Sequence, residues 1–277
     1  AKTGGNTLIT VLFYLNDVQD GGQTRFDNIR GDGESGVLEV RPVKGRAVIF
    51  FPATLDGNLD DRLLHSADTP YGSDEKWAAQ IWIRQDDALK VRKLSQPTSN
   101  AESPKLQNPV AYRAEIEALP TSVEESSWIE GGTEGSWARF MNLTYPGLQV
   151  LHRDPEIFVI DDFLDDEEVE ELMHQIQPEM RIAKQMSEFA NEMYGEQPEE
   201  NNDGYIESEA CSVAKRQIRW LYSKIQALTN KPFEHMEDLQ VRLYEAGKKM
   251  NIRKHYDAYD PTSENGMREL AKTGGNT

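Results

Sequence analysis

The sequence predicts a mainly β protein, a double-stranded β-helix (jelly roll) with supporting helices and its segments in permuted order. Three observations predict this. Short strand-like segments rich in Val, Ile, Phe and Thr recur between Gly-rich turns, the pattern of a sandwich or jelly roll. The clear helical periodicity is concentrated in residues 165–228, so those helices should cover one sheet from outside. The heptapeptide AKTGGNT occupies both 1–7 and 271–277. Nothing between the copies repeats, which argues against a solenoid or propeller and suggests that the end of the chain is continuous with its beginning. A circular permutant and one unit of a tandem array both fit, as does a short motif used twice.

The strand candidates are TLITVLFYL (7–15), QTRFD (23–27), GVLEVRP (36–42), GRAVIFFP (45–52), KWAAQIWIRQ (76–85), PEIFVIDDFL (155–164), LQVRLYEAG (239–247) and KHYDAYD (254–260). Turn signals at 20–22 (DGG), 31–36 (GDGESG) and 56–58 (DGN) separate the early ones. Residues 91–109 are rich in Ser, Pro and Asn and predict a linker or loop, 111–119 a short helix, and 121–136 a loop. Residues 165–176 predict a helix: acidic residues fill the first turn, where the helix dipole favours them, and Val169, Leu172, Met173 and Ile176 share one face. The acidic stretch 194–209 predicts a loop. A longer helix is expected from about Ala210 to Leu228, with Val213, Ile218, Leu221 and Ile225 inward.

Composition limits the function. The chain has 277 residues, 38% of them hydrophobic, enough for a substantial core. A formal net charge of −18 argues against a nucleic-acid backbone or an anionic membrane as partner, since both require a basic surface. The single cysteine, Cys211, allows no intrachain disulfide, and an intracellular setting is favoured. No apolar run of spanning length is present, and nothing at the N-terminus reads as a signal peptide.

The chemistry points to a metal. His255-Tyr256-Asp257 is a His-x-Asp pair, and on a strand residues i and i+2 face the same way. One further histidine would complete a two-His, one-carboxylate facial triad, which leaves open positions on Fe(II); His65 is the candidate. A second His-x-Asp, His152-Arg153-Asp154, lies in a loop-like stretch and is read as no ligand. His174 and His235 are read as ordinary surface or core residues.

Read across the wrap, five segments resemble the prolyl 4-hydroxylase branch of the 2-oxoglutarate dioxygenases: IFVIDDFLDDEEVEEL, LQVRLYEAGKKMNIRKHYDAYD, TLITVLFYLNDVQDGGQTRF, GRAVIFFP, and His65 followed by EKWAAQIWIR. The resemblance covers residues 155–277 followed by 7–85. It implies His255, Asp257 and His65 as iron ligands and Lys76 as the partner of the distal carboxylate of 2-oxoglutarate. It also implies Thr10 and Tyr244 as hydrogen-bonding the co-substrate, and Trp82 as an aromatic near the substrate cleft. Residues 1–90 would be the second half of the jelly roll, 91–154 a linker-like segment, and 155–277 the opening strand, helices and first half, all in one catalytic domain. The cofactors implied are Fe(II), 2-oxoglutarate and O₂, with ascorbate as an auxiliary reductant.

The chain departs from the family pattern at Met250, where tyrosine is common, and at Gly4-Gly5-Asn6, where a basic residue is usual. The expected reaction is hydroxylation of an unactivated C–H of a peptidyl proline. The alternatives are oxidation of a free amino acid or small metabolite, and a jelly-roll binding module without turnover. The permuted order also raises an exchange of ends between two chains.

Overall fold

The computed structural model describes residues 5–31, 36–54, 57–85, 138, 141–194 and 206–272. Two sheets face each other. The larger has seven strands in the order β10-β11-β6-β1-β4-β8-β7. Its members are β1 (Thr7–Tyr14), β4 (Ala47–Phe50), β6 (Lys76–Arg84), β7 (Leu148–Arg153), β8 (Glu156–Ile160), β10 (Glu209–Val213) and β11 (Leu239–Tyr244). The smaller runs β3-β2-β5-β12-β9, from β2 (Thr24–Arg30), β3 (Val37–Val40), β5 (His65–Ala67), β9 (Ile206–Glu207) and β12 (Met250–His255). Every strand pair is antiparallel except β9 with β12. The architecture is mainly β and consistent with the predicted jelly roll.

Two-residue alternation organises the interior. On β1, Ile9, Val11 and Phe13 join one core together with Ile81 and Ile83 of β6 and Val169, Leu172, Ile176, Leu221 and Ile225 of the helices. The opposite face of β1 carries Tyr14, which belongs to a second core between the sheets with Phe26, Val48, Phe50, Leu63 and Ala78. Thr10 lies on that second face. Burial on both faces explains why TLITVLFY reads as a nearly continuous apolar run.

The helices back the larger sheet, as expected. Helix α1 (Asp166–Tyr194) begins with a reciprocal cap: Glu168 N–H donates to Asp165 Oδ1 at 2.8 Å and Asp165 N–H to Glu168 Oε2 at 3.0 Å. Glu168 also pairs with Lys224 at 2.7 Å, which ties α1 to α2 (Arg219–Thr229). A third helix, α3 (Glu264–Lys272), follows β12.

Several expectations are corrected. The first helix does not end at 176; Met180 extends its buried face and Pro178 lies inside it. The second helix does not begin near Ala210. Residues 209–213 form β10, whose five-residue ladder with β11 outweighs their modest helix propensity, and α2 starts at Arg219. Residues 206–207 and 209 are strand, not loop. The strand expected over 254–260 ends at His255, because its partner β5 is only three residues long. His152 lies on β7 rather than in a loop. The segments expected over 91–109, 111–119 and 121–136, and most of both AKTGGNT copies, lie outside the described residues. Among the described residues, no helix is long and apolar enough to cross a membrane.

Candidate metal centre

The ligand atoms of His65, His255 and Asp257 all lie within 4.8 Å of one another. Strand pairing produces this convergence. His65 opens β5 and His255 closes β12, and the two are directly opposite across the antiparallel pair, with ring centroids 4.3 Å apart. Asp257 follows in the bend after β12. Its Oδ2 lies 3.6 Å from His65 Nε2 and its Oδ1 3.6 Å from His255 Nε2.

Local hydrogen bonds orient each group. His65 Nδ1 lies 3.0 Å from Leu63 O and His255 Nδ1 2.8 Å from Arg253 O. A carbonyl only accepts, so each Nδ1 donates and each Nε2 is left with its lone pair toward the other two groups. Thr10 Oγ1 donates to Asp257 Oδ2 at 2.8 Å. Among the described residues, Asp257 Oδ1 is buried with no hydrogen-bond partner, an expensive state for a carboxylate oxygen unless a cation satisfies it.

Burial pushes the His65 imidazole below its ordinary value, although Asp257 pulls the other way. Burial also opposes ionisation of Asp257, yet the imidazoles and the Thr10 hydroxyl outweigh it and hold the carboxyl well below the usual carboxylate range. For His255, burial is outweighed by Asp257, and its value is raised. The ring of His65 is walled by Phe50 and Phe26, at 5.0 and 5.8 Å. Two neutral-capable imidazoles and one ionised carboxylate, one oxygen of it unsatisfied, form a donor set that suits Fe(II).

Beside the triad lies a pocket with about 430 Å³ of empty space, its open mouth included, lined by His65, His255, Lys76, Tyr244, Arg242 and Gln80 among others. Lys76 is 1% exposed. Its Nζ donates to Gly22 O at 2.6 Å and stands 4.8 Å from the Tyr244 ring centroid and 5.6 Å from that of Tyr14. Burial lowers its value to about 7, with only Asp68 opposing. A buried ammonium with no carboxylate in salt-bridge contact among the described residues fits an anionic ligand.

The fold thus brings together His65, His255, Asp257, Lys76, Tyr244 and Thr10. Thr10 contacts Asp257, a role the sequence did not indicate. Trp82 pairs with Thr10 across β6 and β1, and its buried Nε1 has no partner among the described residues. His152 is not in the group; its Nδ1 contacts Pro155 O at 2.7 Å. His174 lies on α1 and His235 in a 3-10 turn, Phe233–His235. Sequence reasoning missed two residues. Tyr14 could have been found from its even spacing with Thr10 on β1. Asn6 accepts from Tyr259 N–H at 2.9 Å and donates to Tyr259 O at 2.8 Å; no local pattern signals that bridge.

Residues 1–84 match the family model described as the 2OG-Fe(II) oxygenase superfamily. The chain is also similar to three Arabidopsis thaliana proteins. It is 40% identical over 91 residues to Prolyl 4-hydroxylase 1, covering 30% of this chain and 31% of that one. It is 36% identical over 95 residues to Prolyl 4-hydroxylase 5, covering 30% and 32%. It is 33% identical over 103 residues to Prolyl 4-hydroxylase 2, covering 32% and 34%. The chain therefore spans about a third of the length of the curated relatives it matches. By sequence, residues 1–84 are similar to the 2OG-Fe(II) oxygenase superfamily, and the fold carries His255 and Asp257 to the histidine within that stretch.

Proposed function

We propose that the protein is an Fe(II)- and 2-oxoglutarate-dependent oxygenase that hydroxylates an unactivated C–H, of a peptidyl proline in the first instance. The observation that carries this is the convergence of two imidazole Nε2 atoms and a partly unsatisfied carboxylate beside a buried lysine that has no carboxylate in salt-bridge contact among the described residues. The names of the relatives support proline as the target. When bound, the metal with 2-oxoglutarate and O₂ supplies the oxidising power, and 2-oxoglutarate leaves as succinate and CO₂.

The chain's own residues do the rest. His65, His255 and Asp257 would hold the metal as a two-histidine, one-carboxylate set. The Leu63 and Arg253 carbonyls fix the two rings, and Thr10 fixes the carboxylate. Lys76 binds the distal carboxylate of 2-oxoglutarate, with Tyr244 bordering it. Phe26 and Phe50 keep water from the buried side of His65. Trp82, with its free Nε1, borders the substrate.

The same reading takes the segment order as permuted, with the β1–β6 stretch standing after β12 in the family's order. The reciprocal Asn6–Tyr259 hydrogen bonds support it, because they join the start of β1 to the chain just after Asp257.

The test is incubation with Fe(II), 2-oxoglutarate, O₂ and a set of proline peptides. Succinate release together with a mass gain of one oxygen on a peptide is expected. Succinate without any peptide product redirects the substrate to a free amino acid or small metabolite. No succinate under any condition would overturn the oxygenase reading in favour of a binding module.

A further inference from the structure

The inner face of the larger sheet carries a second cation. Arg242 precedes Tyr244 by two residues on β11 and so shares its face. It lines the same pocket as His65, His255 and Lys76. Its cross-strand neighbours are Ala210 on β10 and Ala78 on β6. Two methyl groups leave room on both sides of the guanidinium. Gln80, two residues from Ala78 on β6, lines the pocket as well. Among the described residues its side chain has no hydrogen-bond partner.

Arg242 is also without a counter-charge among the described residues. Arg25, Arg46, Arg62 and Arg84 each meet a carboxylate, as expected where 48 acidic residues face 30 basic ones. A half-buried guanidinium left unpaired in such a protein gives up solvation without compensation unless a ligand supplies the anion. Its planar fork matches a carboxylate in bidentate fashion. The segment that carries it is basic. Residues 239–255 hold Arg242, Lys248, Lys249, Arg253 and Lys254 against one acid, Glu245. Lys248 pairs with Glu245 and Lys254 with Asp27, while Lys249 and Arg253 are exposed.

We propose that Arg242, with Gln80 beside it, seats a carboxylate of the substrate, so that the preferred substrate carries an anionic group close to the carbon that reacts. This rests on the oxygenase reading, in which Lys76 is occupied by the co-substrate. Two substrate sources share the required chemistry: an acidic side chain flanking the target residue of a peptide, and the α-carboxylate of a free amino acid.

The experiment measures binding by calorimetry to Mn(II)-loaded protein with 2-oxoglutarate under anaerobic conditions. The probes are a blocked proline pentapeptide with neutral flanks, the same peptide with glutamate flanks, and free L-proline. The glutamate peptide or free proline should bind about tenfold or more tighter than the neutral peptide, the effect of one charge-assisted hydrogen bond. Whichever binds identifies the source. Arg242→Leu should abolish that preference and leave the neutral peptide's affinity as it was. Arg242→Glu should turn the preference toward a lysine-flanked peptide.

Equal binding of all probes to the unaltered protein would overturn the proposal. So would an equal loss for every probe in Arg242→Leu, or a loss confined to 2-oxoglutarate, which would make the arginine part of the co-substrate site. In each of these cases succinate release leaves the oxygenase reading standing. Failure of the unaltered protein to bind 2-oxoglutarate would sink both.

Discussion

Thr10 donates a hydrogen bond to the carboxylate of Asp257 at 2.8 Å across 247 residues of sequence. The strand at the centre of the larger sheet therefore holds the one anionic group of the triad. Thr10→Val keeps the β-branched shape and removes the donor. Metal affinity, followed by Mn(II) titration, should fall about tenfold, at the lower end for an outer partner of a ligand. An unchanged affinity would show that the hydroxyl does not orient the carboxylate.

His65→Ala should abolish both metal binding and metal-dependent succinate release while the fold persists, because only one imidazole and one carboxylate remain. Circular dichroism establishes the fold, and equilibrium dialysis the metal content. Full activity in this variant would contradict the convergence of the two chain regions on one ion.

Lys76 should make co-substrate binding pH-dependent. Burial places its value near 7 in the ligand-free protein, below that of the unfolded chain. The ammonium therefore loses its proton as pH rises through about 7, and affinity for the 2-oxoglutarate dianion should fall between pH 7 and 9. Lys76→Met should bind weakly at every pH, with a flat profile. For stability the sign is opposite: the cost of burying the charge is present in full below about pH 7 and is relieved as pH rises toward the unfolded value. Thermal melts at pH 6 and 9 would show the relief, and Lys76→Met should remove it.

Phe13 is fully buried in the core between the larger sheet and the helices. Phe13→Ala should cost about 3–5 kcal/mol by loss of transfer energy and creation of a cavity. Urea denaturation would read this as a lower midpoint. A cost under about 1 kcal/mol would mean that the helices do not pack on β1 as described.

Asn6→Ala should destabilise by about 1–3 kcal/mol, since it leaves the backbone N–H and C=O of Tyr259 without their side-chain partner. The same denaturation series measures it. No change would separate the bridge from the stability of the site.

How far the sequence revealed this arrangement depends on the range of each interaction. Strands β1, β2, β3, β4, β6, β8 and β11 were legible because alternation and turn glycines are local signals. The turn at Gly21 and Gly22, both at positive φ, is an example: a Cβ on Gly21 would fall 2.4 Å from Thr69 O. Strand β5 was not legible, since three residues cannot show a period, although it carries His65. Strand β10 was misread because its pairing with β11 is a non-local contact that propensity does not report. The ligands themselves were named from residue types and resemblance. Thr10 was named too, but its bond to Asp257 and the Asn6–Tyr259 bridge could be found only from coordinates, and the free state of Arg242 among the described residues depends on where every carboxylate falls.

The position of β6 carries one more consequence. It is held on one side by β1 and on the other by β11, and the site likewise joins residues far apart in sequence, His65 to His255. Neither the sheet nor the triad can be assembled from neighbouring residues alone. Folding must close a very long loop before the central ladder repays its entropy, which places the protein among slow folders of high contact order. Until β11 docks, β6 presents an unpaired, apolar edge, the kind of surface that recruits a second chain. Dilution should therefore decide the yield of refolding more than the stability of the finished molecule does.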